Sequence, residues 1–144
     1  MVDVKAENDL VHNLLTQLRR ANQAWAAIWR QYNLELTPPQ YLLLAMLAEH
    51  GELDQSQLGA RASIDRSTLT QLLTGLEKLD LVNKIIDADN RRRRLVTITD
   101  GGRRALDEGR GTFLQIDQEV KEIMSEEGFA HLIVLLRRLG DHSP

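Results

Sequence analysis

The chain has 144 residues, 42% of them hydrophobic and 27% charged, with a formal net charge of −3 at pH 7 and no cysteine. This composition predicts one globular domain over residues 1–144 and excludes disulfides and thiolate chemistry. No apolar run approaches the ~18–20 residues of a membrane span, and the acidic N-terminus lacks the apolar stretch of a signal peptide, so we expect a cytoplasmic protein without a membrane partner.

The first half of the chain predicts two helices. Apolar residues recur at steps of three and four over residues 5–34, which indicates one long amphipathic helix. A second helix is predicted over residues 37–51. Thr37 is its candidate N-cap, with Pro38 at the first helical position and Gln40 completing a capping box.

Two shorter helices follow. The first covers residues 53–64, with Asp54 as N-cap and Gln57 three residues later. The second covers residues 65–81 and is capped by either Asp65 or Ser67. Its predicted buried stripe consists of five leucines at helical spacing. These are Leu69, Leu72, Leu73, Leu76 and Leu79.

Two β-branched runs, residues 82–86 and 95–99, flank a polar segment and predict a hairpin with an extended tip. Thr99 is expected to cap a long helix, and a final apolar helix is predicted over residues 126–140. The fold is therefore mainly α with a small β-hairpin. Residues 37–104 form a winged helix-turn-helix, with the helices of 5–34 and 105–139 on either side.

The start of the fourth helix, "DRSTLTQ", has the composition of a DNA-reading helix end. A helix laid in the major groove reads base edges with its N-terminal residues, which must be small, polar or cationic. The alternative is an amphipathic helix whose polar face is only solvated. The candidate DNA-binding residues in this helix are Arg66, Ser67, Thr68, Thr70 and Gln71.

Positive charge is concentrated in the middle of the chain. Residues 51–104 carry ten Lys or Arg against eight Asp or Glu, whereas the remainder is net acidic. Four consecutive arginines stand at the hairpin tip, where they suit insertion into a narrow minor groove. The alternative is a solvated tip with arginines paired to Asp87 and Asp89. The candidate DNA-binding residues of the tip are Asn90, Arg91, Arg92, Arg93 and Arg94.

These features resemble the MarR family of bacterial transcription regulators over nearly the whole chain. The strongest part is "LDLVNKIIDADNRRRRLVTITDGG", and "LDQSQLGARASIDRSTLTQLLTGLEKLDLV" resembles the family's reading-head region. The resemblance implies a sequence-specific double-stranded DNA-binding regulator, most commonly a repressor. Within the family, the sequence most resembles regulators of aromatic-acid catabolism.

The family's wing pattern, Asp-x-Arg-x-x-x-Val-x-Leu-Thr, places its arginine on Arg92 and its aspartate on Asn90. In the family this carboxylate orients the inserted arginine. It is absent here, and Asp87 or Asp89 are the candidates to replace it. A register shifted by one residue would instead use Asp89 and Arg91; we favour Arg92.

The flanking helices predict self-association. One small winged-helix block cannot cover their apolar surface, whereas a two-fold homodimer would, and it would call for a palindromic operator. The resemblance implies the same arrangement, since the family forms dimers through these helices. The alternative is burial within one subunit. The candidate interface residues are Leu10, Leu14, Phe129, Leu132, Leu135, Leu136 and Leu139.

A small aromatic effector is the next expectation. The resemblance implies an anionic aromatic compound that weakens DNA binding, such as a phenolic acid or its CoA thioester. Cations with aromatic neighbours suit a ring bearing a carboxylate. The alternative is that the tryptophans are core and the arginines a solvated edge. The candidate ligand-binding residues are Arg19, Arg20, Trp25, Trp29 and Tyr41.

No catalytic constellation stands out, and the four histidines lack the spacing of a metal site, so we predict no enzyme activity, cofactor or metal. The second function class is a protein-interaction module that uses the winged fold without reading DNA. The salt dependence of duplex binding separates the two function classes. In a DNA-binding protein, each phosphate contact changes the slope of log affinity against log salt concentration by ~1.

Overall fold

The structure is a computed structural model that describes residues 12–142. The described chain divides into two compact units, one ending at Leu34 and the other beginning at Glu35. The fold class is confirmed: the described residues form helices and a small antiparallel sheet arranged as a winged helix-turn-helix. The single-domain organisation stays a prediction.

Helix α1 spans Leu14–Arg30, so the prediction of one helix over residues 5–34 is wrong at both described ends. The helix begins at Asn13, whose side-chain oxygen accepts a hydrogen bond from the backbone N–H of Thr16 at 3.4 Å. Asparagine is among the preferred N-cap residues for this reason. Residues 31–34 form a turn and a loop in which Asn33 has φ of 49°.

Helix α2 spans Pro38–His50 and begins as the sequence predicts. The side-chain oxygen of Gln40 accepts from the backbone N–H of Thr37 at 3.0 Å, which is half of the predicted capping box. Gly51 ends the helix with φ of 74°, in the left-handed region that favours glycine. The buried side chains of α2 are Tyr41, Leu43, Leu44 and Leu47.

Helices α3 (Gln55–Ala62) and α4 (Arg66–Lys78) form the helix-turn-helix. Both of their predicted aspartate caps are present, with Asp65 rather than Ser67 capping α4. The predicted leucine stripe of α4 is buried at Leu69, Leu73 and Leu76 and half-buried at Leu72, but Leu79 is 57% exposed. It follows the last helical residue as the C-cap, so it leaves the buried helix face.

The sheet has three antiparallel strands, β1 (Leu53–Asp54), β2 (Val82–Ile86) and β3 (Arg94–Ile98), in the order β1-β3-β2. The hairpin of β2 and β3 is confirmed, with Val82 opposite Ile98. We call β2, β3 and the intervening tip of residues 87–93 the wing. The sequence prediction missed β1, because two residues are too few to show an alternating pattern.

Helices α5 (Asp100–Met124) and α6 (Glu126–Asp141) are separated by Ser125, which has φ of 69°. Thr99 caps α5 as predicted, accepting from the backbone N–H of Gly102 at 2.9 Å. Gly109 lets α5 approach α2 closely, since a Cβ there would lie 2.9 Å from the ring of Tyr41. None of the helices in residues 12–142 combines the length and the apolar composition that crossing a bilayer requires.

Candidate nucleic-acid interface

The first turn of α4 is organised by the carboxylate of Asp65. Its Oδ1 accepts from the backbone N–H of Thr68 at 3.0 Å and from the hydroxyl of Ser67 at 3.1 Å, and its Oδ2 accepts from the hydroxyl of Thr68 at 2.7 Å. Hydrogen bonds from the side chain and the backbone of Thr68 are the main reason that the pKa of Asp65 is lowered from 3.8 to about 2. The cap is therefore ionised at physiological pH.

Replacing Asp65 by asparagine is expected to reduce the acid sensitivity of the fold. Because the folded pKa lies below the unfolded value of 3.8, the ionised carboxylate stabilises the fold above about pH 4. That contribution is lost as the pH falls from about 4 towards 2. Asparagine keeps a cap without a titrating group. The urea concentration at the unfolding midpoint should thus fall less between these pH values in Asp65→Asn than in wild type. An equal fall in the two proteins would contradict the lowered pKa of Asp65. Thr68→Val should give an intermediate fall.

All five predicted DNA-binding residues of α4 are exposed. The hydroxyls of Ser67 and Thr68 donate to Asp65, so what they present outward is lone pairs, which accept hydrogen bonds from the amino groups of bases. Thr70 donates to the backbone oxygen of Arg66 at 2.9 Å and accepts from the side chain of Gln55 at 3.1 Å. This orients Gln55, at the start of α3, beside the reading helix.

The tip of the wing is a tight turn. The backbone N–H of Arg93 donates to the carbonyl of Asn90 at 2.9 Å, and the side-chain oxygen of Asn90 accepts from the backbone N–H of Arg92 at 3.1 Å. Arg91 and Arg92 therefore occupy the two central positions of a β-turn, and both are exposed. Asn90 shapes the turn with its own side chain.

Arg93 is bound to two carboxylates. Its Nε and Nη2 lie 3.2 and 3.1 Å from Oδ2 of Asp54, and its Nη1 lies 3.2 Å from Oδ2 of Asp87. Asp54 is 39 residues away in sequence and is the residue that caps α3. The carboxylate of Asp87 is therefore placed on Arg93 rather than on the guanidinium of Arg92.

Among the described residues, the other three arginines of the run bind no carboxylate. Arg94 donates from Nη1 to the backbone oxygen of Arg91 at 2.9 Å, which braces the turn from the strand side. Within residues 12–142 no carboxylate lies within ion-pair distance of Arg91 or Arg92, and both are exposed. The tip thus carries two outward guanidinium groups with their charges available to a polyanion.

A groove of about 790 Å³ runs between α3, α4 and the wing. Its lining contains more Lys and Arg than Asp and Glu, and two small residues, Gly59 and Ala60, leave room on the α3 side. Arginine and lysine side chains along one concave surface are the electrostatic footprint of a nucleic-acid binder. The charged lining residues are Asp54, Arg66, Glu77, Lys84, Arg92, Arg93 and Arg94.

The model of the MarR family matches residues 36–93, which include α2 to α4 and the wing tip. The HTH-type transcriptional regulator FarR from Neisseria gonorrhoeae is 31% identical over 127 residues, covering 88% of this chain and 81% of FarR. The chain belongs to the MarR family. Members of this family are DNA-binding regulators rather than enzymes, so the winged block of this chain serves transcriptional regulation.

Two solved MarR-like structures match nearly the whole chain. PcaV from Streptomyces coelicolor, a transcriptional regulator in complex with its natural ligand, has a TM-score of 0.86 and 29% identity, covering 100% of both chains. BpsR from Bordetella bronchiseptica, whose DNA binding is regulated by 6-hydroxynicotinic acid, has a TM-score of 0.87 and 26% identity, covering 94% of this chain and 98% of BpsR.

The candidate ligand residues of this MarR-family chain fall in both compact units. On α1, Arg19 and Arg20 are exposed, and the rings of Trp25 and Trp29 lie with centroids 5.3 Å apart. Tyr41 belongs to the second unit, where its ring packs edge-on against Phe113 at 4.8 Å. Burial raises the pKa of Tyr41, so its hydroxyl stays protonated at neutral pH.

The candidate dimer residues are largely exposed in the single chain. Leu14 on α1 is 62% exposed, and the predicted leucines of α6 are exposed as well, whereas Phe129 is half-buried beneath Lys121. Leu10 lies outside the described residues. Within the described part of the chain no three His, Asp or Glu side chains form a metal-binding group.

Sequence analysis did not identify three residues that contribute to the interface. Gln55 lies next to Thr70 only because α3 and α4 pack at that point. Asp54 is recognisable as an N-cap, but the cap signal does not reveal that its second oxygen binds Arg93. Lys84 lines the groove from β2 and pairs with Glu77 at 3.8 Å.

Proposed function

We propose that this MarR-family regulator is a repressor of a palindromic double-stranded operator, released by a small aromatic acid. The observation that carries the DNA-binding part is the pair of outward arginines, Arg91 and Arg92, on a wing that shares a cationic groove with α4. An α-helix fits the major groove, and arginine is favoured in the narrow adjacent minor groove. A chromosomal operator implies that the protein works in the cytoplasm.

The five predicted DNA-binding residues of α4 and the two exposed arginines of the tip then have distinct parts. Arg66, at the first position of α4, is suited to guanine or phosphate, and Gln71 to adenine. Ser67 and Thr68 offer lone pairs to base amino groups as long as Asp65 holds their protons. Thr70 presents Gln55 beside the helix. Arg91 and Arg92 supply most of the sequence-independent attraction to phosphates and the minor groove.

A homodimer follows from the exposed apolar face of α6. Helix α6 exposes several large aliphatic side chains at once, and contiguous patches of this kind in soluble proteins mark interaction surfaces. A two-fold pair would place the two reading helices ~34–36 Å apart, one per half-site. The exposed aliphatic residues of α6 are Leu132, Ile133, Val134, Leu135, Leu136 and Leu139.

Replacing Leu135 by glutamate is expected to dissociate the dimer. A charge placed in an apolar interface loses its hydration, which favours separate subunits. Because a separate subunit binds only one half-site, operator affinity should fall by about 10²-fold or more. Sedimentation velocity and duplex titration measure both effects. Leu79→Glu is the matched control, because Leu79 is equally exposed but lies in the winged block. A wild-type monomer at micromolar concentration would contradict the proposal.

An aromatic acid is the proposed effector. The cations Arg19 and Arg20 and the Trp25–Trp29 pair on α1 offer the groups that a carboxylate on a ring requires. The regulation of BpsR by a hydroxylated aromatic carboxylic acid supports the same ligand class. The tryptophan pair supplies the apolar walls, and the arginines fix the carboxylate.

Titration of the intergenic DNA beside the protein's own gene tests the whole proposal. We expect binding that weakens steeply with salt, and weakens further when 6-hydroxynicotinic acid, 4-hydroxybenzoic acid or a hydroxycinnamoyl-CoA thioester is added. Cyclohexanecarboxylic acid, which has the charge but no aromatic ring, is the control. DNA binding that none of these compounds changes would remove the effector from the proposal and leave the DNA-binding part standing.

A further inference from the structure

The side chain of Arg93 connects the wing to the start of the helix-turn-helix. Its guanidinium binds Asp54, the last residue of β1 and the N-cap of α3, and Asp87, at the base of the tip. Both carboxylates are largely shielded from solvent, with 16% and 13% of their side chains exposed. All three guanidinium nitrogens of Arg93 are thereby engaged by carboxylates, although 44% of its side chain stays exposed.

Each carboxylate is itself held by a backbone N–H. The Oδ1 of Asp54 accepts from Gln57 at 2.7 Å, and the Oδ1 of Asp87 accepts from Asp89 at 3.0 Å. The backbone of Arg93 is fixed too, because its carbonyl accepts from the N–H of Asp87 at 3.2 Å. The bridge therefore joins one fixed point on α3 to one fixed point on the wing.

The sheet alone attaches the wing to the α3 side weakly. Only Leu53 and Asp54 of β1 pair with β3, so the strand ladder there is two residues long. The Arg93 bridge extends that attachment beyond the end of the ladder, towards the tip. A partly exposed ion pair contributes little to global stability, so its main effect is on the direction in which the tip points.

We propose that Arg93 is a positioning residue, which orients the wing so that Arg91 and Arg92 reach the DNA and does not itself bind a phosphate. This inference rests on the proposed DNA binding for its functional consequence, but its structural part holds without DNA.

Salt-dependent duplex binding separates positioning from direct contact. Loss of a phosphate contact from each half-site of the proposed dimer, as expected for Arg92→Ala, lowers the slope of log affinity against log salt by about 1.8. For Arg93→Ala we expect an affinity loss of about tenfold with the wild-type slope, since Arg91 and Arg92 still make their contacts in the complex but the wing must first be ordered. A slope lowered by about 1.8 would show that Arg93 is a phosphate contact and would overturn the proposal, as would unchanged affinity.

A double-mutant cycle identifies the partner. Asp87→Asn keeps an oxygen for the N–H of Asp89 but removes the charge that Arg93 binds. We expect Arg93→Ala and Asp87→Asn to weaken binding in the same direction, and the double variant to be no weaker than Arg93→Ala alone. Additive losses would contradict the bridge. Arg110→Ala is the control, because it removes an arginine from an exposed pair with Asp107 on α5 and should change nothing.

A measurement without DNA keeps this inference separate from the proposed function. The chain has no cysteine, so Ala88→Cys introduces a single thiol into the wing tip for a nitroxide label. We expect a more mobile label in the Arg93→Ala background than in the wild-type or Arg110→Ala backgrounds, and partial recovery with Arg93→Lys. Identical spectra would refute positioning whether or not the protein binds the duplex. A mobilised label together with no duplex binding would refute the proposed function and the DNA-binding role of Arg93, leaving only its structural part.

Discussion

Replacing Arg91 and Arg92 together by alanine is expected to weaken operator binding by about a hundredfold at moderate salt. The structure leaves these two guanidinium groups exposed on a β-turn, with no carboxylate within ion-pair distance in residues 12–142. In the proposed homodimer the two substitutions remove four phosphate or minor-groove contacts, two in each half-site, so the slope of log affinity against log salt should fall by about 3.6. Fluorescence anisotropy of a labelled operator duplex over a range of salt concentrations measures both quantities.

The single variants decide between the two registers of the wing. If Arg92 is the inserted residue, as the family pattern favours, Arg92→Ala accounts for most of the loss and alters the preference for a narrow minor groove. If Arg91 is inserted, the order is reversed. An Arg91→Ala/Arg92→Ala variant that binds with wild-type affinity and slope would show that the tip does not meet DNA at all.

Replacing Gly102 by alanine is expected to destabilise the fold by about 2–3 kcal/mol, despite the usual preference of helices for alanine. A Cβ at this position would overlap the carbonyl oxygen of Leu81 and approach Cγ1 of Ile98 to 2.7 Å. The Leu81 oxygen cannot move aside easily, because it also accepts from the backbone N–H of Thr99 at 3.0 Å. Urea unfolding measures the loss.

Gly111→Ala is the matched control for this prediction. Both glycines lie in α5, but a Cβ at Gly111 would meet nothing within 4 Å. Alanine there should stabilise the helix by up to about 1 kcal/mol. Two variants of equal stability would contradict the close packing of α5 against Leu81, between α4 and β2, and against Ile98 of β3.

Local signals made most of the fold predictable. Asp54, Asp65 and Thr99 each accept from a free N–H group at the start of a helix, and at the start of α2 the side chain of Gln40 accepts from the N–H of Thr37. Such a cap depends on residues only two or three positions away. The hairpin likewise follows from two β-branched runs. The end of α1 at Arg30 was not predictable in this way, since apolar periodicity continues beyond it to Tyr32.

The features that the sequence predicted wrongly, or did not predict, depend on tertiary contacts. Leu79 continues the leucine spacing of α4 but comes after its last turn, so spacing alone assigns it to the core wrongly. Strand β1 exists because β3 is beside it. Sequence reasoning favoured one role for all four arginines and left pairing with Asp87 or Asp89 as the alternative, whereas Arg93 binds Asp87 and also Asp54. A partner 39 residues away leaves no local pattern.

The arginine run therefore divides by environment. Arg93 and Arg94 bind groups of the protein and hold the turn, while Arg91 and Arg92 project from it. A tip built only of outward cations would repel itself and lose order. Arg93 pairs with Asp54 and Asp87, and Arg94 pairs with a backbone carbonyl. These contacts let the tip hold Arg91 and Arg92 side by side with their charges exposed.

Hydroxyl-radical footprinting on the operator tests the central claim most directly, because the radical reports minor-groove and sugar accessibility at single nucleotides. We predict symmetrical protections flanking each half-site at the wing positions. These protections should disappear in Arg91→Ala/Arg92→Ala while the protections beside α4 persist at saturating protein. A footprint that the double variant leaves unchanged would contradict the claim that this tip enters the minor groove.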